Sequence, residues 1–367
     1  MLQGQHLFER REHDQIGKVS KVRWGPTPVH QSSLILATGT YNGLKSSISI
    51  SQVLLDPQSA NPLDISHAAA IPVKGDVTDL RWVPGAGPLT LISATSSGII
   101  DIHSVAAIAD RGKRETIHVE PLNQFTTQGG EGVGISALAV QPHAASNPWI
   151  ASVGVDASIS FQTAEGKEVQ KRMENVEAIQ ITGLEWRTSN EIAIATSAGH
   201  IRQIDARSRS KGLPLSSHEQ KHRVPLNCIT VHPTQPDKLA TGAENGELQI
   251  WDVRNLSDPE LTILPAHDGN VWDVRFHPTS ANDIATCSED GTVCVMQWRE
   301  PTSSVVDTYK PIRRFRDKNH PLGINSVDIH SEKDVLVAAG DLGCTLMTRL
   351  SRWGRSDGGV VIGEGAA

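Results

Sequence analysis

A six-residue pattern of apolar and polar positions, apolar-x-x-apolar-x-apolar, recurs seven times along the chain. Trp, Phe, Val or Ile fills its sixth place. The copies run from Val19 to Trp24, Val77 to Trp82, Ile135 to Val140, Ile181 to Trp186, Leu226 to Val231, Val271 to Phe276 and Ile324 to Ile329. Their sixth positions lie 58, 58, 46, 45, 45 and 53 residues apart, so the shortest period is 45 and three units carry insertions. A repeat of that length marks a fold assembled from one supersecondary unit used many times. Pro stands two residues beyond the copy in five units (Pro26, Pro84, Pro142, Pro233 and Pro278). Its missing N–H ends a strand there.

Each unit continues with a second short strand and a Gly-containing turn, as in Leu239 to Gly246 and Ile284 to Gly291. The Asn-Gly and Asp-Gly pairs in these turns favour the positive φ of tight hairpins. A third strand follows, clearest from Leu248 to Asp252. Three strands and a weaker fourth describe one blade of a β-propeller. No long amphipathic helix competes, so the pattern predicts an all-β, seven-bladed propeller. The fifth unit ends its third strand in Trp251-Asp252, and with this dipeptide the chain resembles the WD-repeat family (WD40). The resemblance implies a side-chain network that joins a His before the first strand to a turn acid, a strand Ser/Thr and the Trp indole. Here those residues are His222, Asn245, Thr241 and Trp251. The sixth unit offers His267, Thr286 and Asp290, with Met296 where the Trp would be. Ser97, Ala198 and Leu342 stand at the turn-acid position of other units, so the network is expected to be complete only in unit five.

Composition fits one ring rather than two domains. Of fifteen aromatic residues eight are Trp. Trp24, Trp82 and Trp186 share the sixth position and Trp251 belongs to the network, which assigns all four to packing. The 31 Gly and 20 Pro punctuate many short strands. The propeller is expected over residues 1–353, followed by a loose Gly-rich tail at 354–367. The seventh unit ends near Leu350 without a fourth strand. Gly4–Glu9 is expected to supply it, so that no sheet edge stays open. Insertions occupy 54–74, 106–133 and 299–321. Arg313, Arg314 and Arg316 in the last of these read as a solvated strand edge.

A net charge of −7 gives no reason to expect nucleic acid as a partner. The longest apolar run falls short of the 18 residues that would span a bilayer, and the N-terminus lacks the apolar stretch of a secretory signal, so no membrane insertion is expected. The four cysteines form no CxxC pair and suit a reducing compartment. The chain lacks a GxxxxGK[ST] phosphate loop, a GxSxG elbow and an HExxH helix. His218 and His222 have metal-like spacing only on a helix, and here they precede a strand. The expectation is therefore a non-enzymatic protein with no cofactor and no metal.

Longer stretches carry a closer resemblance. Val19-Ser-Lys-Val-Arg-Trp24-Gly-Pro26 leads into Ala37-Thr-Gly-Thr-Tyr-Asn42, and Arg223-Val-Pro-Leu-Asn-Cys228 leads through Val231-His-Pro233 to Ile250-Trp-Asp-Val-Arg254. Ala266-His-Asp-Gly-Asn-Val-Trp272 leads to Phe276-His-Pro278 and Thr286-Cys-Ser-Glu-Asp-Gly291. These resemble the family of the 43-kilodalton WD-repeat nucleoporin of the Y-shaped nuclear pore subcomplex. The resemblance implies a peripheral scaffold, monomeric by itself and part of a hetero-oligomer. It would dock on an α-solenoid nucleoporin in the short arm of the Y complex, at the nuclear pore of the nuclear envelope, and support transport of RNA and protein.

In propellers, residues flanking the first apolar position face the narrower top surface. Partner contacts are accordingly expected from Asp76, Gln180, Asn227, Asn270, Trp272 and Asn325, joined by Tyr41 before the first turn. Trp272 alone in this ring is large and apolar, and Trp is enriched at binding hot spots. A second reading comes from paired Asp-x-Arg boxes, Asp205-Ala-Arg207 and Asp252-Val-Arg254. These resemble WD-repeat substrate receptors of cullin–RING ubiquitin ligases, in which Arg207 and Arg254 would meet the adaptor from the bottom face. The bland alternative is an Asp–Arg ion pair inside each blade.

Overall fold

Each copy of the six-residue pattern forms the innermost strand of an antiparallel sheet. In a computed structural model these strands are Lys18–Trp24, Val77–Trp82, Ile135–Val140, Ile181–Trp186, Leu226–Val231, Val271–Phe276 and Ile324–Ile329. The structure describes residues 18–26, 33–42, 45–55, 63–83, 89–108, 116–126, 133–142, 147–166, 169–208, 213–214, 224–254, 260–280, 282–299, 308–316, 322–342 and 345–350. Among them are seven sheets, each laid down outward in chain order, with four strands in six of them and three in the last. The inner strands touch in a closed cycle, and the last packs against the first. This is the WD40 β-propeller that the sequence predicts. The expected closing strand Gly4–Glu9 and the tail at 354–367 lie outside the described residues.

The spacing of the pattern has a structural cause. Side chains alternate along a strand, so positions one and four would point to opposite faces. In all seven inner strands the pairing slips at position two, leaving that residue as a β-bulge. The extra residue brings position one onto the face of positions four and six. That face packs on the preceding blade. Val19, Val22 and Trp24 meet Val335 and Val337 of blade seven, and the equivalent residues build the other six junctions. The core is thus divided into seven apolar wedges. Each large side chain fully withdrawn from water there contributes about 1.5–3 kcal/mol. Trp24, Trp186 and Trp251 are buried as expected. Trp82 is half-buried, and its Nε1 donates to the Arg23 carbonyl.

The inner edge of each blade still exposes backbone N–H and C=O groups, and an enclosed group of this kind needs a partner. Polar residues of the preceding blade supply several. From position two, Ser136 donates to the Ile181 carbonyl at 3.1 Å, Thr182 to Leu226 at 2.6 Å and Asn325 to Val19 at 2.9 Å. From position three, Asp79 accepts the Leu138 N–H at 3.0 Å and Ser326 accepts that of Val22 at 3.2 Å. From position five, Asp328 accepts the Trp24 N–H at 2.7 Å. The junction of blade seven with blade one uses all three positions.

The insertions prove to be parts of blades. Their outer strands are Leu63–Pro72, Thr116–Thr126 and Thr308–Arg316, each closing an extended hairpin at the rim of blade one, two or six. Arg314 lies on such an edge strand and is exposed, as expected, but its guanidinium also reaches the Ala266 carbonyl at 2.6 Å.

Candidate interaction site

The bulge residues, the loops before them and the hairpin turns between second and third strands share one end of the ring. The sequence expects a single partner-binding ring there. The structure divides those residues into three groups.

Tyr41 and Asn325 come together at the seam of blades one and seven, where they bond to the protein itself. The Tyr41 hydroxyl donates to Asp341 at 2.6 Å, and Asn325 Nδ2 donates to Asp341 at 2.8 Å and approaches the Tyr41 oxygen at 3.3 Å. Lys18 pairs with the other Asp341 oxygen at 2.8 Å. Burial, with the Asp341 carboxylate as acceptor, pushes the Tyr41 hydroxyl up to about 12. Asp76 is likewise engaged: it accepts from the Asn42 N–H and the Ser46 hydroxyl, both at 3.0 Å. The backbone carbonyl of Gln180 accepts the Ser197 N–H. Asp76 and Gln180 sit on blades two and four, away from the seam group. Asn227, Asn270 and Trp272 form the third group, on the neighbouring blades five and six. Asn270 Nδ2 donates to Glu289 at 2.6 Å. Asn227 has an enclosed Nδ2 with no hydrogen-bond partner among the described residues. Trp272 is 36% exposed.

The structural network departs from its expected distribution. In blade five Trp251 Nε1 donates to Thr241 at 2.9 Å, while Asn245 accepts the Glu247 N–H in its own turn. His222 lies outside the described residues. Blade six carries an extensive version despite Met296. His267 contacts Thr286 at 2.7 Å through Nε2, and Thr292 at 2.8 Å and Asp290 at 3.2 Å through Nδ1. Burial opposes the charged form of Asp290, but the bonds from His267 and Thr292 hold its carboxyl well below the usual range. Met296 fills the Trp position as a buried apolar side chain and needs no polar partner there.

At the opposite end, Arg207 and Arg254 each fold back on their own box. Arg207 Nη2 meets Asp205 at 2.9 Å and Arg254 Nη2 meets Asp252 at 2.6 Å, with a second bond through each Nε. The intrablade ion pair is therefore present. The side chains remain 69% and 65% exposed.

Sequence reasoning missed a further cluster at the centre. Positions three and five of the inner strands place Lys21, Arg23, Asp79, Arg81, Glu185, Asp273, Arg275 and Asp328 in the middle of the ring. Four cations thus face four carboxylates. Three of their ion pairs skip a blade: Arg23 reaches Asp273 at 3.0 Å, while Arg81 and Arg275 converge on Glu185 at 3.0 and 3.8 Å. Burial works against a charged Asp273, but Arg23, Lys21 and Arg275 hold its carboxyl far below the normal range. Burial pushes the Asp328 carboxyl up. The signal was legible, because these residues are the unassigned x positions of the repeat.

Comparison with known proteins agrees with this geometry. The model of the WD domain, G-beta repeat, matches residues 259–296, which include the His267–Asp290 network. Nucleoporin Nup43 of Homo sapiens is 29% identical over 286 residues, covering 75% of this chain and 72% of that protein. The chain is a Nup43-like WD-repeat protein. Nucleoporin Nup43 of Mus musculus is 28% identical over the same shares of both chains. The nuclear pore complex protein nup43 of Dictyostelium discoideum is 24% identical over 39% of this chain and 34% of its own length. The long human and mouse matches extend far beyond one WD unit.

Proposed function

We propose that this protein is a non-enzymatic nucleoporin of the nuclear pore complex, a peripheral propeller in the outer-ring Y complex. There it docks on an α-solenoid nucleoporin of the short arm and supports nucleocytoplasmic transport of RNA and protein. The observation that carries this reading is the similarity to Nup43 over three quarters of the chain. The physical design suits the role. A ring with a charged, crosslinked centre is a stiff disc, and a stiff disc loses little freedom on docking. Residues 1–353 act as one propeller in this reading, and its docking face is the top, with Trp272 as anchor flanked by Asn227 and Asn270. Affinity purification of the tagged chain under mild salt tests it. Recovery of outer-ring nucleoporins is the expected result, and their absence from a purification that yields other partners would overturn it.

A second reading, a substrate receptor of a cullin–RING ligase, is favoured by one observation. Arg207 and Arg254 are mostly exposed on adjacent blades, and each is aimed by a two-bond clamp from its own Asp. Replacing both by Ala should abolish recovery of a ligase adaptor while leaving nucleoporin recovery unchanged. Unchanged adaptor recovery counts against this role.

A further inference from the structure

Six of the seven bulge positions hold a short polar residue: Ser20, Thr78, Ser136, Thr182, Asn227 and Asn325. Blade six places Trp272 there. Ser136, Thr182 and Asn325 use the position to bond the next blade, which an indole at this site does not do. The junction from blade six to blade seven is carried one residue later, where Asp273 bonds the Ser326 hydroxyl at 2.9 Å. Trp272 is therefore released from ring closure, and it is the one Trp among the exposed large apolar side chains of the described residues. A bulky aromatic left partly exposed on a face that does not use it to bond the next blade marks a contact residue.

Its surroundings define what it would meet. Val271 pairs with Ser288, so the exposed Glu289 follows directly beside the bulge. Asp268 is exposed in the loop that leads to Trp272, and Glu244 is exposed at the equivalent turn of blade five. The blade-five turn and this loop approach closely, since a Cβ on Gly246 would fall 2.1 Å from the His267 carbonyl. The guanidinium of Arg314 is turned to the Ala266 carbonyl.

We propose that this patch seats an extended segment of a partner protein bearing Arg or Lys. The cation lies on the Trp272 indole, facing the exposed carboxylates of Glu289, Asp268 and Glu244. Stacking of a guanidinium on Trp and its pairing with carboxylates are mutually reinforcing uses of one charge. The inference rests on the top face being the docking face and adds the chemistry of the partner.

The test uses the purified full chain and two fluorescein-labelled peptides, a Gly/Ser decapeptide with interspersed Arg and its counterpart with Glu in place of Arg. Fluorescence anisotropy at physiological salt should show saturable binding of the Arg peptide and none of the Glu peptide. Trp272→Ala should weaken binding about tenfold with an unchanged melting midpoint. Trp272→Phe should retain part of the affinity, and Glu289→Lys, on an exposed side chain, should also weaken it. Equal binding by Trp272→Ala, or failure of the wild type to prefer the Arg peptide, overturns the proposal. If Trp272→Ala fails to fold, Glu289→Lys decides: retained affinity overturns the proposal and lost affinity supports it. Nucleoporin recovery is measured separately, so failure of peptide binding and failure of the scaffold reading give different results.

Discussion

Individual residues of this ring depart from their repeat in ways that have measurable consequences. The second hairpin turns of blades two, four, five and six each place Gly at positive φ, from 77° to 85°. Blade three has Ala157 at the same place, with φ of 58°. A Cβ in the left-handed region costs roughly 1–2 kcal/mol, part of which Gly returns as unfolded-state entropy. Ala157→Gly should therefore stabilise the protein by about 0.5–1 kcal/mol, seen as a higher denaturant midpoint with the same slope. His330 makes a second case. It is buried edge-on against Trp24 across the seam, with ring centroids 5.6 Å apart, and Nδ1 accepts the N–H groups of Glu332 and Lys333. Burial lowers its pKa to about 4. The folded protein keeps it neutral while the unfolded chain takes up a proton near pH 6.5. The stability tied to His330 is whole above that value and is lost as pH falls from there towards about 4. His330→Asn keeps an acceptor and removes the titration, so it should flatten the stability profile between pH 6.5 and 4. An unchanged profile would remove His330 from the account.

The inner strand is the element in which the sequence pattern acquires its meaning. Positions one, four and six were legible as packing positions because their residues are apolar in every unit. The bulge that aligns them was not legible, because it is a property of pairing with the second strand. Polar positions two, three and five read in isolation as surface. They turn out to bond the next inner edge or to meet at the centre of the ring. Asp273 illustrates the scale of the effect. It accepts from Arg23 and Ser326, and it is the nearest carboxylate to the buried Arg23, at 3.0 Å against 3.9 Å for Asp79. Removing one member of a buried pair strands the other charge, at a cost of about 3–5 kcal/mol. Asp273→Ala should lose that much in chemical denaturation. A loss below about 1 kcal/mol would mean that water already screens the centre.

For the whole molecule, one end of the ring carries its own closure and is also the face proposed for docking. Tyr41, Asn325 and Lys18 converge on Asp341 to bind blade one to blade seven, and residues separated by 300 positions meet there. The sequence placed Tyr41 and Asn325 on this face, but their partners could be known only once the ring had closed. Trp272 lies on the same face, on blade six beside the seam. The Arg207 and Arg254 boxes at the other end were recognised together with their intrablade pairing, because an Asp and an Arg two residues apart can meet without help from the fold.

Periodicity by itself determined the all-β class, the phase of the repeat units and the packing role of Trp24, Trp186 and Trp251. These follow from alternation and turn chemistry, which act over a few residues. The tertiary structure decided where the polar positions point. Charges that are remote in sequence, such as Arg23 and Asp273 or Arg81 and Glu185, become neighbours only when seven inner strands surround one axis. The same closure separates Tyr41 and Asn325, bound into the seam, from Trp272, which leaves the bond to the next blade to Asp273.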